Sequence, residues 1–349
     1  MVVMASFRRQ VVVELGSDWR SPRPFDLMHE QKASWSIKSL RLKGKLKTME
    51  TLKADQIVEA ALDAANDSLG KLLNAEILAL KGPMRQPIDE SVRLEIENLK
   101  KNTKRIGKNY EKIVIMLETS GGFIEAVERI AIVLRKNYKF VEFIVPNYAY
   151  SAGTVLVMSG DEIYMDYFSV LGPIDPQYPG EDGNYVPGMG YLAKFNELAE
   201  AVNKDPTGTA TRAELAILLK KFDPAKLFDI EQAIEHSKSL LEDWLPQYKF
   251  KDWTKRESSQ KKVTAADRKA RAVEVAEALG DAKHWHSHGR GITIRELQSD
   301  KIKLKVKDFG DDQDLNSAIR HYHSLFVDYM QKRAMKGAIH CRRGIRRIA

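Results

Sequence analysis

A continuous apolar strand that ends in paired glycines is encoded by Lys112-Ile-Val-Ile-Met-Leu-Glu-Thr-Ser-Gly-Gly122. Its apolar residues do not alternate with polar ones, so both faces of the strand are expected to be buried, as in a parallel sheet covered by helices. A helical pattern follows over Phe123–Asn137, and a second apolar strand over Phe140–Val145. Strands joined by helical crossovers predict an α/β fold built on a parallel sheet.

A serine stands between a strand and an apolar helix in Asn147-Tyr-Ala-Tyr-Ser-Ala-Gly-Thr154. Reactive residues of an open parallel sheet collect at the carboxyl ends of the strands, where Gly121, Gly122 and Ser151 all fall. Ser151 is therefore a candidate nucleophile, with Ala152 and one of the two glycines as candidate oxyanion donors. The alternative interpretation of these residues alone is that Ser151 only caps the helix, a position that serine favours.

The composition excludes several classes of protein. With 349 residues, 43% of them apolar, the chain is able to bury a full core and is not wholly disordered. No apolar run approaches the roughly 18 residues of a membrane helix, and no signal-peptide core is seen, so a cytoplasmic location without membrane association is expected. Cys341 is the only cysteine, which excludes an intramolecular disulfide and a cysteine-built zinc site.

The basic residues are concentrated at the two ends of the chain, whose net charge is +8. Residues 1–49 hold ten Lys/Arg against four Asp/Glu, and residues 332–349 hold seven against none, which leaves residues 50–331 with a net charge of −5. Solvated ends are expected, either as solubilising tails or as arms that touch a polyanion or an acidic partner surface.

Four motifs resemble, in order and spacing, the serine dehydrogenase proteinase family. They are Leu117-Glu-Thr-Ser-Gly-Gly122, Val145-Pro-Asn-Tyr-Ala-Tyr-Ser-Ala-Gly-Thr154, Asp161-Glu-Ile-Tyr-Met165 and Leu171-Gly-Pro-Ile-Asp-Pro-Gln177. The resemblance covers about Pro87 to Gln177, with a weaker echo at Trp285–Leu297. It implies the Clp protease (crotonase-like) fold, a parallel sheet with crossover helices, and a homo-oligomer. It also implies that Ser151 is the nucleophile and that Gly121 and Gly122 form the oxyanion hole. One departure is Ser120, which stands where the family usually has proline.

The general base is the weak point of this resemblance. Clp proteases have a histidine about 25 residues after the serine, where this chain has Pro176, preceded by Asp175. One substitute is Lys194, which is placed like the base of related membrane-bound Ser-Lys proteases and would need burial to lose its proton. The other is His288, which lies in the family's Trp…His…Ile-Thr segment and would be oriented by Asp175. An ordinary surface lysine and a polar loop are the corresponding structural alternatives.

Four regions are expected along the chain. Residues 1–50 form a basic segment that is either disordered or of unassigned fold, and residues 51–190 form the Clp-fold catalytic core, with an N-terminal helix at Thr51–Leu80. Residues 191–331 form a helical lid or assembly layer that contains the His-rich segment, and residues 332–349 form a basic tail.

The predicted function is that of a serine peptidase that cleaves peptides or unfolded proteins through a Ser151 acyl-enzyme, without a cofactor. The histidines at 284, 286 and 288 would share one face of an extended chain, but no carboxylate motif accompanies them and no metal site is predicted. Two alternatives stay open. One is a crotonase-like acyl-CoA enzyme, and the other is a catalytically degenerate scaffold with nucleic-acid-binding tails.

Overall fold

A seven-stranded sheet forms the centre of the protein. The computed structural model describes residues 53–106, 110–179, 185–204, 209–257, 259–285 and 289–348, all in one folded unit. In spatial order the strands are β10 (Lys307–Asp308), β5 (Glu162–Met165), β3 (Phe140–Ile144), β2 (Lys112–Glu118), β1 (Glu76–Lys81), β11 (Ala338–Cys341) and β12 (Gly344–Arg347). The five strands from β10 to β1 are parallel, and β11 and β12 add an antiparallel hairpin.

Helices cover both faces of this sheet, as the unbroken apolar strands predict. One face packs against α2 (Ile88–Ile106), α3 (Ile124–Asn137), α4 (Ala152–Met158), α7 (Pro224–Gln247) and α8 (Ala265–Leu279). The other face packs against α1 (Ala54–Leu73) and α11 (Gln313–Lys332). In β2, Ile113 and Ile115 face the first layer while Val114 and Met116 face the second, so the strand is buried on both sides. The predicted α/β class is confirmed.

Smaller elements lie around the carboxyl ends of the parallel strands. A three-stranded sheet joins β4 (Tyr148–Ala149), β6 (Val170–Leu171) and β9 (Ile292–Thr293), and a hairpin joins β7 (Gln177–Pro179) to β8 (Tyr185–Pro187). The remaining helices are α5 (Gly188–Lys204), α6 (Thr209–Lys221), α9 (Ala282–Trp285) and α10 (Ile294–Gln298). None of the described helices is both long enough and apolar enough to cross a membrane.

The predicted N-terminal helix is shorter than expected. It ends at Leu73, because Asn74 adopts the left-handed conformation at φ 47°, and Glu76–Lys81 forms β1 instead of another helical turn. The apolar run Ile77–Leu80 is buried between β2 and β11. A short apolar run fits both helical and strand periodicity, and here the pairing with two neighbours decides for the strand.

The predicted basic tail is wrong, because Ala338–Cys341 and Gly344–Arg347 form two strands of the sheet. Strand β11 is buried along its length and pairs with β1, so Cys341 lies in the core. The arginines that follow are paired with buried acids: Arg342 Nε lies 2.9 Å from Glu76 Oε1, and Arg343 and Arg346 each lie 3.3 Å from a Glu95 oxygen. Their charges are therefore balanced within the fold.

The sheet also includes residues from outside the predicted core region, residues 51–190. Strand β10 and helix α11 come from beyond residue 190, yet they complete the sheet and its second helical layer. The basic segment at residues 1–50 lies outside the described residues.

Candidate active site

Ser151 occupies a sharp turn between β4 and α4. Its backbone has φ 52° and ψ −120°, a conformation that costs a residue with a side chain on the order of 1–3 kcal/mol. The surrounding backbone enforces this turn, because the Tyr150 N–H donates to the Thr119 carbonyl at 3.0 Å and the Gly153 N–H donates to the Tyr150 carbonyl at 2.8 Å. The residue is 7% exposed.

The side chain of Ser151 does not cap the helix. Ser151 stands at the N-cap position of α4, but its hydroxyl makes no capping hydrogen bond and instead donates to the main-chain carbonyl of Asp175 at 3.1 Å. The structural alternative, a serine retained as a helix cap, therefore does not account for this side chain. The hydroxyl is held beside the segment that precedes β7.

Gly121, the first of the paired glycines, lies directly against the serine turn. Gly121 and Gly122 have φ values of 90° and 152°, which residues with side chains rarely adopt. A Cβ atom on Gly121 would come within 2.7 Å of the Tyr150 carbonyl oxygen and 2.9 Å of Ser151 Cβ. Met84 braces the glycine loop, because its N–H donates to Gly121 and its carbonyl accepts from Phe123, each at 2.8 Å. The loop thus has a fixed conformation with Ser120 in place of proline.

Two amides beside Ser151 have no hydrogen-bond partner among the described residues. They belong to Gly122 and to Ala152, the first residue of α4. The Gly121 N–H, by contrast, donates to Thr119 Oγ1 at 3.0 Å. Unpaired N–H groups at a helix N-terminus attract negative charge, so this arrangement is suited to stabilising an oxyanion.

Asp175 lies beside Ser151, and the two residues meet through the main chain of Asp175. The Asp175 carbonyl accepts the serine hydroxyl, while its carboxylate Oδ1 accepts the Met189 N–H at 2.9 Å. Met189 lies in the first turn of α5. Asp175 therefore connects the serine turn to α5.

Lys194 is not buried as the sequence-based hypothesis required. It lies on α5 with its side chain 57% exposed, and its Nζ forms an ion pair with Glu197 Oε1 at 2.7 Å. The single chain does not bury this lysine, and none of its described contacts is with Ser151. The ordinary surface lysine is the better description of this position.

His286 and His288 lie outside the described residues, but the segments on either side of them are anchored near Ser151. The Ile174 N–H donates to the Leu279 carbonyl at 3.1 Å, and β9 pairs with β6. Strand β6 pairs in turn with β4, which leads into the serine turn. The described residues contain no cluster of three or more potential metal ligands.

A polar cluster on the opposite face of the sheet was not anticipated. Glu118 forms an ion pair with Lys81, a hydrogen bond with His323 Nε2 at 2.5 Å, and a third contact in which it accepts from Asn147. Burial, together with the cations Lys81 and Arg320, lowers the pKa of His323 to about 4. His323 is far from Glu118 in the sequence, so no local pattern signals the pair.

Comparison with known proteins finds a family that is similar to the central segment. Residues 88–186 match the family model of the ClpP-like SDH-type serine proteinases. This match agrees with the resemblance carried by the four motifs, and the matched residues include Ser151 and both glycines.

Two similar proteins come from Methanocaldococcus jannaschii, and both are uncharacterised. MJ1495 is 34% identical over 93 residues, which are 27% of this chain and 30% of that protein. MJ0137 is 42% identical over 65 residues, which are 19% of this chain and 23% of that protein. The chain thus spans less than a third of the length of either relative.

Similar solved structures include two proteases. A mutant of the membrane-bound stomatin-specific protease 1510-N is 16% identical, with 46% of this chain and 82% of that chain covered and a TM-score of 0.26. A mutant of ClpP1 from Listeria monocytogenes is 19% identical, with 32% and 62% covered and a TM-score of 0.24.

Proposed function

We propose that this protein is a serine peptidase in which Ser151 attacks the carbonyl carbon of a peptide bond. The observation that carries the proposal is a serine with a strained backbone whose hydroxyl does not cap the helix. Two unpaired amides from separate segments, those of Gly122 and Ala152, accompany it. All three residues lie within the matched proteinase segment. A nucleophile between preorganised N–H donors is the arrangement that acyl transfer requires.

The reaction follows from this arrangement in two stages. A base takes the Ser151 proton as Oγ bonds to the carbonyl carbon, and the charge that develops on the carbonyl oxygen is stabilised by the glycine loop and the Ala152 amide. The tetrahedral intermediate then expels the amine, which takes the proton from the base. Water attacks the acyl-enzyme by the same route and restores the serine.

His288 is the base that we favour over Lys194. Both flanks of the His286–His288 stretch are hydrogen-bonded to residues 170–174, next to the Asp175 carbonyl that holds the Ser151 hydroxyl. Lys194 is mostly exposed and paired with Glu197, and its described contacts do not bring its amine to Ser151. For catalysis, the Ser151 hydroxyl must break its hydrogen bond to the Asp175 carbonyl and donate to the base instead.

The expected substrate is an extended peptide or an unfolded protein. Ser151 is 93% buried from solvent by the glycine loop and the segment before β7, so a folded protein surface does not reach its hydroxyl. We expect a homo-oligomer that further shelters this site, because Clp-fold proteases assemble in this way.

Hydrolysis of quenched fluorescent peptides and of unfolded casein by the full-length protein tests the proposal. We expect turnover that is lost in Ser151→Ala and falls at least about a hundredfold in His288→Ala. The matched controls His284→Ala, an exposed neighbour, and Lys194→Ala should retain most of the activity.

Three outcomes would contradict parts of this account. Absence of peptide hydrolysis by the assembled wild type contradicts the peptidase. Hydrolysis of acyl-CoA that survives Ser151→Ala would instead support the crotonase-like alternative. Loss of peptide hydrolysis in Lys194→Ala but not in His288→Ala would reverse the choice of base.

A further inference from the structure

Thr119 connects the three segments that form the candidate site. It directly follows β2, is 1% exposed, and lies two residues before the paired glycines. The sequence motif gives it no evident role beyond ending a strand. Its contacts nevertheless reach the glycine loop, the residues before Ser151 and helix α4.

The main chain of Thr119 fixes the approach to the serine. Its N–H donates to the Tyr148 carbonyl at 3.1 Å, and its carbonyl accepts the Tyr150 N–H at 3.0 Å. The Thr119 methyl group packs against Gly153, where any added Cβ would collide with it. Thr119 therefore holds the serine turn in register with the end of β2.

The hydroxyl of Thr119 distinguishes between the two glycines. Oγ1 accepts the Gly121 N–H at 3.0 Å, so this amide is already satisfied in a buried setting. The Gly122 amide has no partner among the described residues. For Gly121 to stabilise an oxyanion, its bond to Thr119 would first have to break, whereas Gly122 is ready to donate.

We infer that Thr119 is a positioning residue that reserves Gly122, together with Ala152, for the oxyanion and excludes Gly121 from that role. The inference rests on the proposed peptidase function, whose oxyanion hole it specifies. Thr119 does not touch the reacting atoms and acts through the conformation of the glycine loop. Removal of its hydroxyl leaves the buried Gly121 N–H without a partner, which loosens the loop and misplaces the Gly122 donor.

Two substitutions separate the hydroxyl from the methyl group. Thr119→Val keeps the branched shape and the main-chain bonds but deletes the acceptor, and Thr119→Ser keeps the acceptor but deletes the methyl group. Loss of an oxyanion donor costs about a hundredfold to a thousandfold in kcat, so a misplaced donor should cost Thr119→Val about tenfold to a hundredfold. KM should stay within about twofold, and Thr119→Ser should keep most of kcat, because its hydroxyl still accepts from Gly121.

A direct measurement uses the wild-type protein, so it does not depend on how the variants fold. A fluorophosphonate adduct on Ser151 places an oxygen in the oxyanion position, and NMR of glycine-labelled protein reads the amides around it. The Gly122 amide proton should move downfield on adduct formation while the Gly121 amide keeps its shift.

The outcomes separate this inference from the proposed function. Failure of the wild type to form any adduct contradicts the peptidase itself. An adduct that shifts Gly121 instead of Gly122 overturns the assignment alone. Equal losses of kcat in Thr119→Val and Thr119→Ser, or unchanged kcat in Thr119→Val, would reduce Thr119 to a packing residue.

Discussion

The conformation of Ser151 is imposed by its neighbours against its own preference. A glycine would adopt φ 52° and ψ −120° without strain, whereas a residue with a side chain raises the free energy of this turn. The hydrogen bonds at Tyr150 and Gly153 and the close approach of Gly121 hold the serine there. The proposed catalytic role explains why strain is retained at a buried hydroxyl beside unpaired amides.

This strain predicts an unusual order of stabilities between two inactive variants. Ser151→Gly should be more stable than Ser151→Ala by about 1 kcal/mol, because alanine keeps the strained backbone while glycine relieves it. Urea unfolding of both proteins measures the difference. A more stable alanine variant would mean that the turn is not strained.

The proximity of Ser151 and the glycine pair could be predicted from local motifs. Ser151 and the glycine pair meet as expected, because both follow strand ends that parallel pairing brings to one edge of the sheet. The exposure of Lys194 depends on how α5 packs, and the contact between Thr119 and Gly121 depends on a side-chain rotamer. Neither is encoded in residue spacing.

At the scale of elements, the contact between α11 and β2 depends on the protonation of His323. Its imidazole is buried against Glu118, whose charge is already paired with Lys81, and Arg320 adds a second cation nearby. Burial and these cations set the folded pKa at about 4, below the ordinary value of about 6.5. Between these values the unfolded chain binds more protons than the folded one.

Stability should therefore fall as the pH drops from about 6.5 to about 4, with a contribution from His323 of up to about 3 kcal/mol. His323→Gln should reduce this pH dependence, because glutamine does not titrate, whereas His321→Gln, at an exposed position on the same helix, should leave it unchanged. Urea midpoints across this pH range measure the effect. Identical profiles for wild type and His323→Gln would contradict a depressed His323 pKa.

Elements with strong periodicity were predicted closely, and those defined by distant partners were not. The predicted helix Phe123–Asn137 and the predicted strand Phe140–Val145 agree with the structure to within one residue at each end. The sequence pattern predicts a helix at the residues that form β1 and a solvated tail at those that form β11. Both strands owe their conformation to each other, and that pairing joins segments separated by more than 250 residues.

At the scale of the whole molecule, both ends of the described chain contribute to one sheet. Strand β11 lies between β1 and β12, so the C-terminal segment closes one side of the core. A chain truncated after Lys332 should lose its cooperative unfolding transition, because the buried edge of β1 is left without a partner.

A charge variant provides the control for this truncation. Lys336→Gln removes one charge from an exposed position in the turn before β11 and should leave unfolding nearly unchanged. Circular dichroism and urea unfolding of the two proteins make the comparison. A truncated chain that unfolds like the wild type would instead support a solvated tail at residues 332–349.

The most direct test of the central claim is covalent labelling of the assembled, full-length protein with a fluorophosphonate, with the modified residue located by peptide mass spectrometry. Ser151 should be labelled selectively, and the labelling should disappear in Ser151→Ala. A folded wild type that remains unlabelled at Ser151, or that is labelled equally at other serines, would contradict an activated nucleophile at this position.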